Sequence, residues 1–388
     1  MAGAGREVAV IGGGVVGCAV AHALTRRGVS TVILEAESGL AFGASGTSSG
    51  ILHTGFDSRP GELETRLILR AATLRERLLE ELGVPLLCCG ARLSAQNEEQ
   101  LVTVRLLAGN ARSNGVEAHL GADGSLEVPG ESVTDPVAFV YALAAAAGAG
   151  GAEVRLDARV RGVEAQRGGG VLVRLAGEEC VRVRAAVNCA GLRADEVARL
   201  AGDELPGIYP RKGEFLVFSQ PAGEQLGEIL LPVPSSVGKG VLVFPTLDGH
   251  VVAGPTARDR EDKDDWSVEP DAEELILPKA RRMYPALAGA ERVGAYAGLR
   301  PAGRAANYVI ERSRTVDGLL HVAAIRSTGL SASLAIGEHV TDMLAASGAV
   351  ELGIERVLRP PPAAAPMGPW WEHASRHRAG QRERVDAP

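Results

Sequence analysis

The chain has 388 residues and a formal net charge of −7. That length exceeds what one hydrophobic core holds and predicts two domains, and the acidic balance argues against a nucleic-acid partner, which would need a basic face. No apolar run reaches the roughly 18 residues of a membrane span. The five cysteines contain no C-x-x-C pair, so no zinc or iron–sulfur ligand set stands at a recognisable spacing and no metal is expected.

Val8 to Ile11 is an apolar run without alternation, as expected of a strand covered on both faces. Only Arg6 precedes it, with Glu7 beside it, so it is read as a strand and not as a secretory signal, and the chain as cytoplasmic. Gly12, Gly14 and Gly17 follow as G-x-G-x-x-G, with Val15 and Val16 inside the motif and a helix from Ala19 to Arg27 that Gly28 ends. Gly12 permits the strand-to-helix turn, Gly14 lets a pyrophosphate reach the backbone, and Gly17 lets helix and strand pack closely. The free N–H groups of the helix start then face the phosphates. Thr31 to Leu34 is a second strand, closed by Glu35 and Ala36. Glu35 stands at about the 20-residue offset at which an acid accepts hydrogen bonds from a ribose. A glycine-rich turn alone is weak, but strand, turn, helix, strand and acid in order indicate a bound dinucleotide.

The next run decides which one. Gly43 to Gly50 reads GASGTSSG, and Ser45, Gly46, Thr47, Ser48, Ser49 and Gly50 are too small for a packed helix and rich in hydroxyls. A nicotinamide enzyme has no use for such a run here. In a flavin enzyme the chain after the acid continues along the cofactor to the isoalloxazine ring, where small hydroxylic residues allow close backbone approach. The run leads into the apolar Ile51-Leu52 and not into a polar linker, so FAD is the expected cofactor. His53 then arrives beside the ring, as a base, a substrate contact or a structural histidine; imidazole suits proton transfer near neutrality.

Leu63 to Gly83 is an amphipathic helix with Leu67, Leu74, Leu78 and Leu82 on one side. Cys88-Cys89 are read as small hydrophobes in a strand, since neighbouring cysteines make strained disulfides and a reducing compartment disfavours them. Ala91 to Ser94 is a strand, Glu98 to Gly115 a helix, Pro129 to Thr134 a loop, and Val137 to Ala147 an alanine-rich helix packed against a sheet. Glu153–Leu156, Val160–Glu164 and Val171–Leu175 alternate as strands. Val187 to Gly191 is a strand returning to the first sheet, which brings Ala190 and Gly191 near the same pyrophosphate. Tyr209 to Ser219 and Gly240 to Thr256 are neighbouring antiparallel strands of a second sheet, and Glu261 to Asp265 a solvated acidic loop.

Arg300, in Gly298-Leu299-Arg300-Pro301 between two strands, suits an anionic substrate because the guanidinium fork matches a carboxylate or phosphate. Leu319 to Ala324 is a strand. Arg326, Ser327, Thr328, Gly329, Leu330 and Ser331 then lead into a helix from Ala332 to Leu344, whose start can stabilise charge on a reduced flavin. From Arg359 the tail RPPPAAAPMGP reads as extended and draped. Trp370-Trp371 are considered for a peripheral membrane contact, but four later arginines against three acids are too weak an electrostatic anchor.

These residues resemble the D-amino-acid-oxidase-type flavoproteins of the glutathione-reductase-2 group over about residues 7 to 350. SSGILHTGFDSRPGELETRL resembles an element shared by L-2-hydroxyglutarate dehydrogenases and short glycerol-3-phosphate dehydrogenase-like proteins. GVLVFPTLDGHVVAGPTARD is similar to the latter more closely. The resemblance implies a mixed α/β fold: a Rossmann-like FAD-binding domain in three pieces (1–80, 136–205 and 295–350), an antiparallel-sheet substrate domain (81–135 and 206–294), and a proline-rich tail (351–388). It implies Arg300 facing the substrate anion, Arg326 near the flavin's pyrimidine edge and His53 beside the ring; Val160 and Arg300 are also expected among the cofactor contacts, and His53, Lys212 and Arg326 among the substrate contacts. Two departures bear on the final loop: Thr328 stands where a proline is usual, and Ser333-Leu334 replace Ala-Pro. The cysteine-rich C-terminal domain of the longer glycerol-3-phosphate dehydrogenases is absent from this sequence.

The reading is therefore an FAD-dependent oxidoreductase taking hydride from a secondary alcohol of a small anionic substrate to flavin N5, glycerol 3-phosphate ahead of L-2-hydroxyglutarate. Arg300 would clamp the anion and His53 would take the hydroxyl proton. Amine oxidation of a glycine- or sarcosine-like substrate, which needs no strong base, and a non-catalytic flavoprotein subunit are the alternatives. Oxygen, a quinone and a partner flavoprotein are all compatible electron acceptors.

Overall fold

The structure is a computed structural model that describes residues 7–221, 225–234, 240–361 and 365–385. Its centre is a six-stranded sheet in the order β20 (Val309–Arg312), β21 (Leu319–Ala323), β13 (Ala185–Asn188), β1 (Val8–Ile11), β2 (Thr31–Leu34) and β9 (Glu153–Arg155). All its pairings are parallel except β20 with β21. The unalternating strands are buried on both faces because each face has a different cover. Val8 and Val10 pack with α1 (Val15–Arg26), α4 (Pro136–Ala149) and α7 (Gly329–Ala346). Ala9 and Ile11 pack instead with a three-stranded antiparallel sheet of β10 (Val160–Ala165), β11 (Val171–Leu175) and β12 (Cys180–Val183).

A nine-stranded sheet runs β18 (Arg258–Asp259), β14 (Ile208–Ser219), β17 (His250–Gly254), β16 (Leu242–Pro245), β15 (Ile229–Leu231), β5 (Ala91–Ser94), β7 (Ser125–Val128) and β6 (His119–Leu120), with β19 (Arg292–Gly303) paired to β14. Helix α6 (Ala272–Met283) covers one face through Ile276 and Ala280, packed on Leu216, Val243 and Val251. A small sheet of β3 (Ile51–Leu52), β8 (Ser132–Thr134) and β4 (Leu86–Leu87) joins the segment after the small-residue run to the rest. Four helices complete the chain: α2 (Leu63–Leu82), α3 (Glu98–Ser113), α5 (Ala194–Leu200) and α8 (Trp370–Val385). Gly83 ends α2 in the left-handed region at φ 65°, and Asn97 caps α3 by accepting from the Gln100 N–H.

Several sequence expectations change in three dimensions. Residues 132–134 are a strand and not loop, since Val133 pairs with Ile51 and is fully buried. The alanine-rich helix lies chiefly against α1, where small side chains let two helices approach closely. Arg300 does not sit between strands but inside one, because β14 and β19 stay paired from Ile208–Gly303 to Phe218–Arg292. Cys88 is exposed, Cys89 is half-buried, and neither lies in a strand. The acidic stretch 261–265 is no free loop: Lys263 Nζ bonds Asp195 at 2.7 Å, Asp264 pairs with Arg193 at 2.7 Å, and Asp265 accepts from Lys212 at 2.8 Å. In the run from Arg359 the described residues 359–361 and 365–369 form no helix or strand, and 362–364 lie outside the described residues; beyond it the tail is helical. It folds as α8, with Trp370 and Trp371 buried in the core, so neither indole is offered to a membrane. Among the described residues no helix is long and apolar enough to cross one.

Hydrogen bonds from Lys212 and Ser267 hold the Asp265 carboxyl down at about 2. An unfolded aspartate titrates near 4. The Asp265–Lys212 pair therefore adds stability above about pH 4, and that contribution is lost as the pH falls toward about 2. Acid unfolding monitored by circular dichroism should show this limb, and Lys212→Met should flatten its slope in that window. An identical slope in the variant would mean that the pair does not titrate with unfolding.

Candidate functional site

The six-stranded sheet and the nine-stranded sheet share one cavity of about 1950 Å³, larger than the roughly 300–1,000 Å³ of a drug-sized site and roomy enough for a dinucleotide with a substrate. At one end the turn after β1 carries Gly12 at φ 113°. A Cβ there would lie 2.5 Å from the Cys189 carbonyl oxygen, so only glycine lets this turn meet the turn after β13, where Ala190 and Gly191 line the same cavity. Gly14, Val15 and Val16 line it at the start of α1. Gly17 does not; a Cβ there would reach within 2.0 Å of the Gly12 carbonyl, so it serves close helix–strand packing.

Glu35 is held rigidly. Its Oε2 accepts from the Gly13 N–H at 2.6 Å and its Oε1 from the Glu37 N–H at 2.9 Å. Burial raises its pKa, and those backbone bonds only partly oppose the rise. Glu35, Ala36 and Val160 line the cavity around the end of β2. A dinucleotide fits this donor and acceptor set: a helix N-terminus lining the cavity for phosphates and a carboxyl at the second strand end.

The small-residue run forms the middle of the cavity. Ser45, Thr47, Ser48, Ser49 and Ile51 line it, whereas Gly46 and Gly50 lie behind, shaping the backbone. Ser45 Oγ accepts from the Val15 N–H at 2.9 Å, so this hydroxyl caps α1 as well as facing the site. From the other sheet, Gly298 of β19 comes so near that a Cβ would sit 2.5 Å from the Thr47 carbonyl oxygen, and the Tyr296 hydroxyl donates to the Ser48 carbonyl at 3.3 Å. The run is thus clamped between α1 and β19.

His53 lines the same cavity and is fixed at three points. Its N–H donates to Ser331 Oγ at 2.8 Å, its carbonyl accepts from Arg75 Nη2 at 2.5 Å, and Nδ1 lies 2.8 Å from Glu131 Oε2. Ser331, expected at the cofactor, instead sits behind His53 and does not line the cavity. Sequence reasoning missed Glu131 and Arg75 altogether. Glu131 is fully buried, and its Oε1 also accepts from the Thr54 N–H at 2.6 Å and hydroxyl at 2.8 Å. Burial alone would raise its pKa, but the His53 charge and the bonds from His53 and Thr54 outweigh it and hold the carboxyl below its ordinary value. An ionised Glu131 accepts the Nδ1 hydrogen and leaves Nε2 as an acceptor, with no protein partner among the described residues.

Arg300 is the cation of the site. Nε donates to the Arg211 carbonyl at 3.0 Å, and Nη2 to the Thr256 carbonyl at 3.2 Å and the Lys212 carbonyl at 3.4 Å. Nη1 remains for a ligand, and among the described residues no carboxylate pairs with the guanidinium. Burial first, then the charges of Arg211 and Arg326, push its pKa down to about 10, so it stays cationic at neutral pH. Arg211, opposite Arg300 in the strand ladder, lines the cavity too, with Asp259 at 3.3 Å. Lys212 does not belong here. The strand alternates, so Lys212 points to the opposite side of β14 and is fully buried against Asp265 and Glu269.

Arg326, Ser327, Thr328, Gly329 and Leu330 line the cavity where α7 begins, one turn earlier than the sequence pattern indicates. Thr328, standing where a proline is usual, has its own function: its hydroxyl lies 2.8 Å from the Tyr308 hydroxyl and 2.5 Å from Glu64 Oε1, which ties this loop to α2.

Comparison with known proteins shows the family and the fold. The model of the DAO family, described as FAD dependent oxidoreductase, matches residues 7–343. A glycerol 3-phosphate dehydrogenase of Caloramator mitchellensis is 29% identical over 354 residues, covering 87% of this chain and 73% of that protein. An L-2-hydroxyglutarate dehydrogenase of Bos taurus is 27% identical over 280 residues, covering 65% of this chain and 60% of that protein. Among solved structures, dithionite-reduced L-alpha-glycerophosphate oxidase from Mycoplasma pneumoniae with FAD bound superposes with a TM-score of 0.83 at 25% identity, covering 93% of this chain and 98% of that one. Glycine oxidase from Bacillus cereus shares the fold, with a TM-score of 0.76 at 22% identity, covering 89% of this chain and 96% of that one.

A methyl group at 298 would push the 43–50 run off its seat. Gly298→Ala should weaken FAD binding by about tenfold, or about 1.4 kcal/mol, as measured by titrating the apoprotein and following flavin fluorescence. Wild-type affinity in that variant would show that the run does not support the cofactor.

Proposed function

The chain belongs to the DAO family of FAD-dependent oxidoreductases, and on that basis we propose that it oxidises the secondary alcohol of glycerol 3-phosphate to the ketone of dihydroxyacetone phosphate. The single observation that carries the substrate class is Arg300, a half-buried guanidinium without a carboxylate partner among the described residues, in the same cavity as His53. Taking such a charge out of water costs several kcal/mol, which an anionic ligand offsets. Arg211 and Arg326 lie close enough to depress the Arg300 pKa, and this added positive charge, only partly offset by Asp259, favours the concentrated dianion of a phosphate monoester over one carboxylate. The names of the Caloramator and Mycoplasma relatives agree with that choice.

FAD, when bound, supplies the two-electron acceptor for the hydride leaving the alcohol carbon. The protein supplies the rest. Arg300 holds the anion through Nη1 and fixes which carbon is presented, its own orientation being set by the carbonyls that Nε and Nη2 bond. His53 Nε2 accepts the hydroxyl proton as the C–H bond breaks. Glu131 acts through His53 as a positioning residue, because it fixes the ring and its tautomer and offsets the charge the ring gains. This built base separates the alcohol reading from oxidation of a glycine-like amine, whose neutral form needs none. L-2-hydroxyglutarate is the competing alcohol, also anionic, and its dehydrogenases are among the relatives.

Mixing the yellow protein anaerobically with glycerol 3-phosphate, L-2-hydroxyglutarate and glycine tests the choice directly. Rapid flavin bleaching is expected with the first. Bleaching only by glycine would overturn the reading, and bleaching only by the hydroxy acid would move it to the second alcohol. Arg300→Ala should raise KM by about thirtyfold or more, the scale of removing one partner from a buried charge pair, with flavin retained; an unchanged KM would remove Arg300 from the substrate site. Glu131→Gln should lower kcat by about tenfold to a hundredfold, less than the ~10²–10⁴ of general-base catalysis because His53 itself remains, with little change in KM. A loss confined to KM would assign Glu131 to binding instead.

A further inference from the structure

Helix α8 lies beyond residues 7–343, the span the family model matches, and nothing in the reaction described above uses it. Its first turn is an anchor. Trp370 meets the Tyr296 ring edge-on at 5.4 Å and Trp371 meets His250 at 5.9 Å. Gly294 of β19 makes room for it, since a Cβ there would lie 2.6 Å from the Trp371 ring. The next turns run over the segment that follows Glu35. His373 Nε2 lies 3.0 Å from the Leu40 carbonyl oxygen, and the Phe42 ring stacks on His377 at 3.6 Å and 5° and on His373 at 4.7 Å. His377 Nε2 is 3.3 Å from Glu37 Oε2.

Arg378 makes the connection to the other sheet. It donates to the Phe42 carbonyl, while its guanidinium carbon lies 3.7 Å over the Trp266 ring. Trp266 follows Lys263, Asp264 and Asp265, the stretch pinned to α5 and β14 by ion pairs. Among the described residues no carboxylate forms an ion pair with Arg378, and burial pushes its pKa down to about 10. Ser375, His377, Arg378 and Ala379 line the same cavity as Glu35, Ala36 and Val160. One helix thus bridges the two walls of the cavity at the end where Glu35 stands.

We propose that α8 is part of the cofactor site: His377 and Arg378 close the cavity over the AMP half of bound FAD. The position follows from Glu35, which marks the ribose of a dinucleotide on this fold. The chemistry follows from the groups present. Stacked planar rings give a flat wall, and a guanidinium without a carboxylate partner faces a cofactor half that carries phosphate. FAD then leaves only when α8 lifts from Phe42 and Trp266 together. This inference rests on the cavity being the FAD site, but not on which alcohol is oxidised there.

The test is release of FAD from the purified holoenzyme on dilution, followed by the rise in free-flavin fluorescence. Arg378→Ala, and Trp266→Leu on the facing wall, should each speed release by about tenfold or more. ADP, which carries only that half of the cofactor, should compete for the apoprotein correspondingly less well in both variants. Release and ADP binding identical to wild type in both variants would refute the clamp and leave the FAD assignment standing. A wild-type protein that takes up no FAD would refute both. Should the variants not fold, hydrogen exchange on wild type decides: amides of residues 373–379 slow on FAD binding if the clamp is right and exchange equally with and without FAD if it is wrong.

Discussion

A guanidinium with no carboxylate beside it, held inside a protein, has to be supported by something other than charge neutralisation. Arg300 is supported by three backbone carbonyls, from Arg211, Lys212 and Thr256. Those carbonyls are where they are because β14 and β19 pair along twelve-residue strands and because β14 pairs with β17 on its other side. The ladder of the nine-stranded sheet is therefore the device that keeps a cation in place while leaving its charge unspent. Arg211 and Arg326 add positive potential to the same region, so binding of an anion there relieves a repulsion that folding created.

The second fixed feature is a negative charge. Glu131 is buried completely, and such a carboxylate persists ionised only with dedicated donors. Three groups supply them: the His53 ring, the Thr54 N–H and the Thr54 hydroxyl. Ser331 of α7 and Arg75 of α2 grip the His53 backbone from the other sides. A base built from four separate segments cannot drift relative to the cavity without disturbing the small sheet of β3, β8 and β4. That rigidity is what proton transfer at a fixed distance requires. Cation and base thus stand in one cavity, Arg300 within β19 and His53 just past β3, with the 43–50 run clamped between α1 and β19.

Much of this was legible in the chain because it is local. The β1–glycine–α1–β2–Glu35 unit is set by hydrogen bonding and sterics within about thirty residues. The run at 43–50 announces itself by composition, and the loop from Arg326 announces α7. Even the return of β13 to the first sheet shows, since its uniform burial demands two covered faces. What misled was alternation: in a strand neighbouring residues face opposite ways, so Lys212 and Arg211 exchange roles once the register is known, and sequence supplies no register. The ion pairs that convert the 261–265 stretch from free loop to structure join it to residues about 50 to 70 positions away, and no spacing rule reaches that far.

Sequence by itself determined the nucleotide-binding unit, the identity of the cofactor and the presence of a histidine and an arginine suited to an anionic alcohol, because each is written in residue type and short spacing. The tertiary structure alone decided which cations face the cavity, that a buried glutamate 78 positions from His53 orients its ring, and that the last helix folds back over the site. Those outcomes depend on burial and on contacts between distant segments, and desolvation energies of that kind have no value until the chain has closed around the charges.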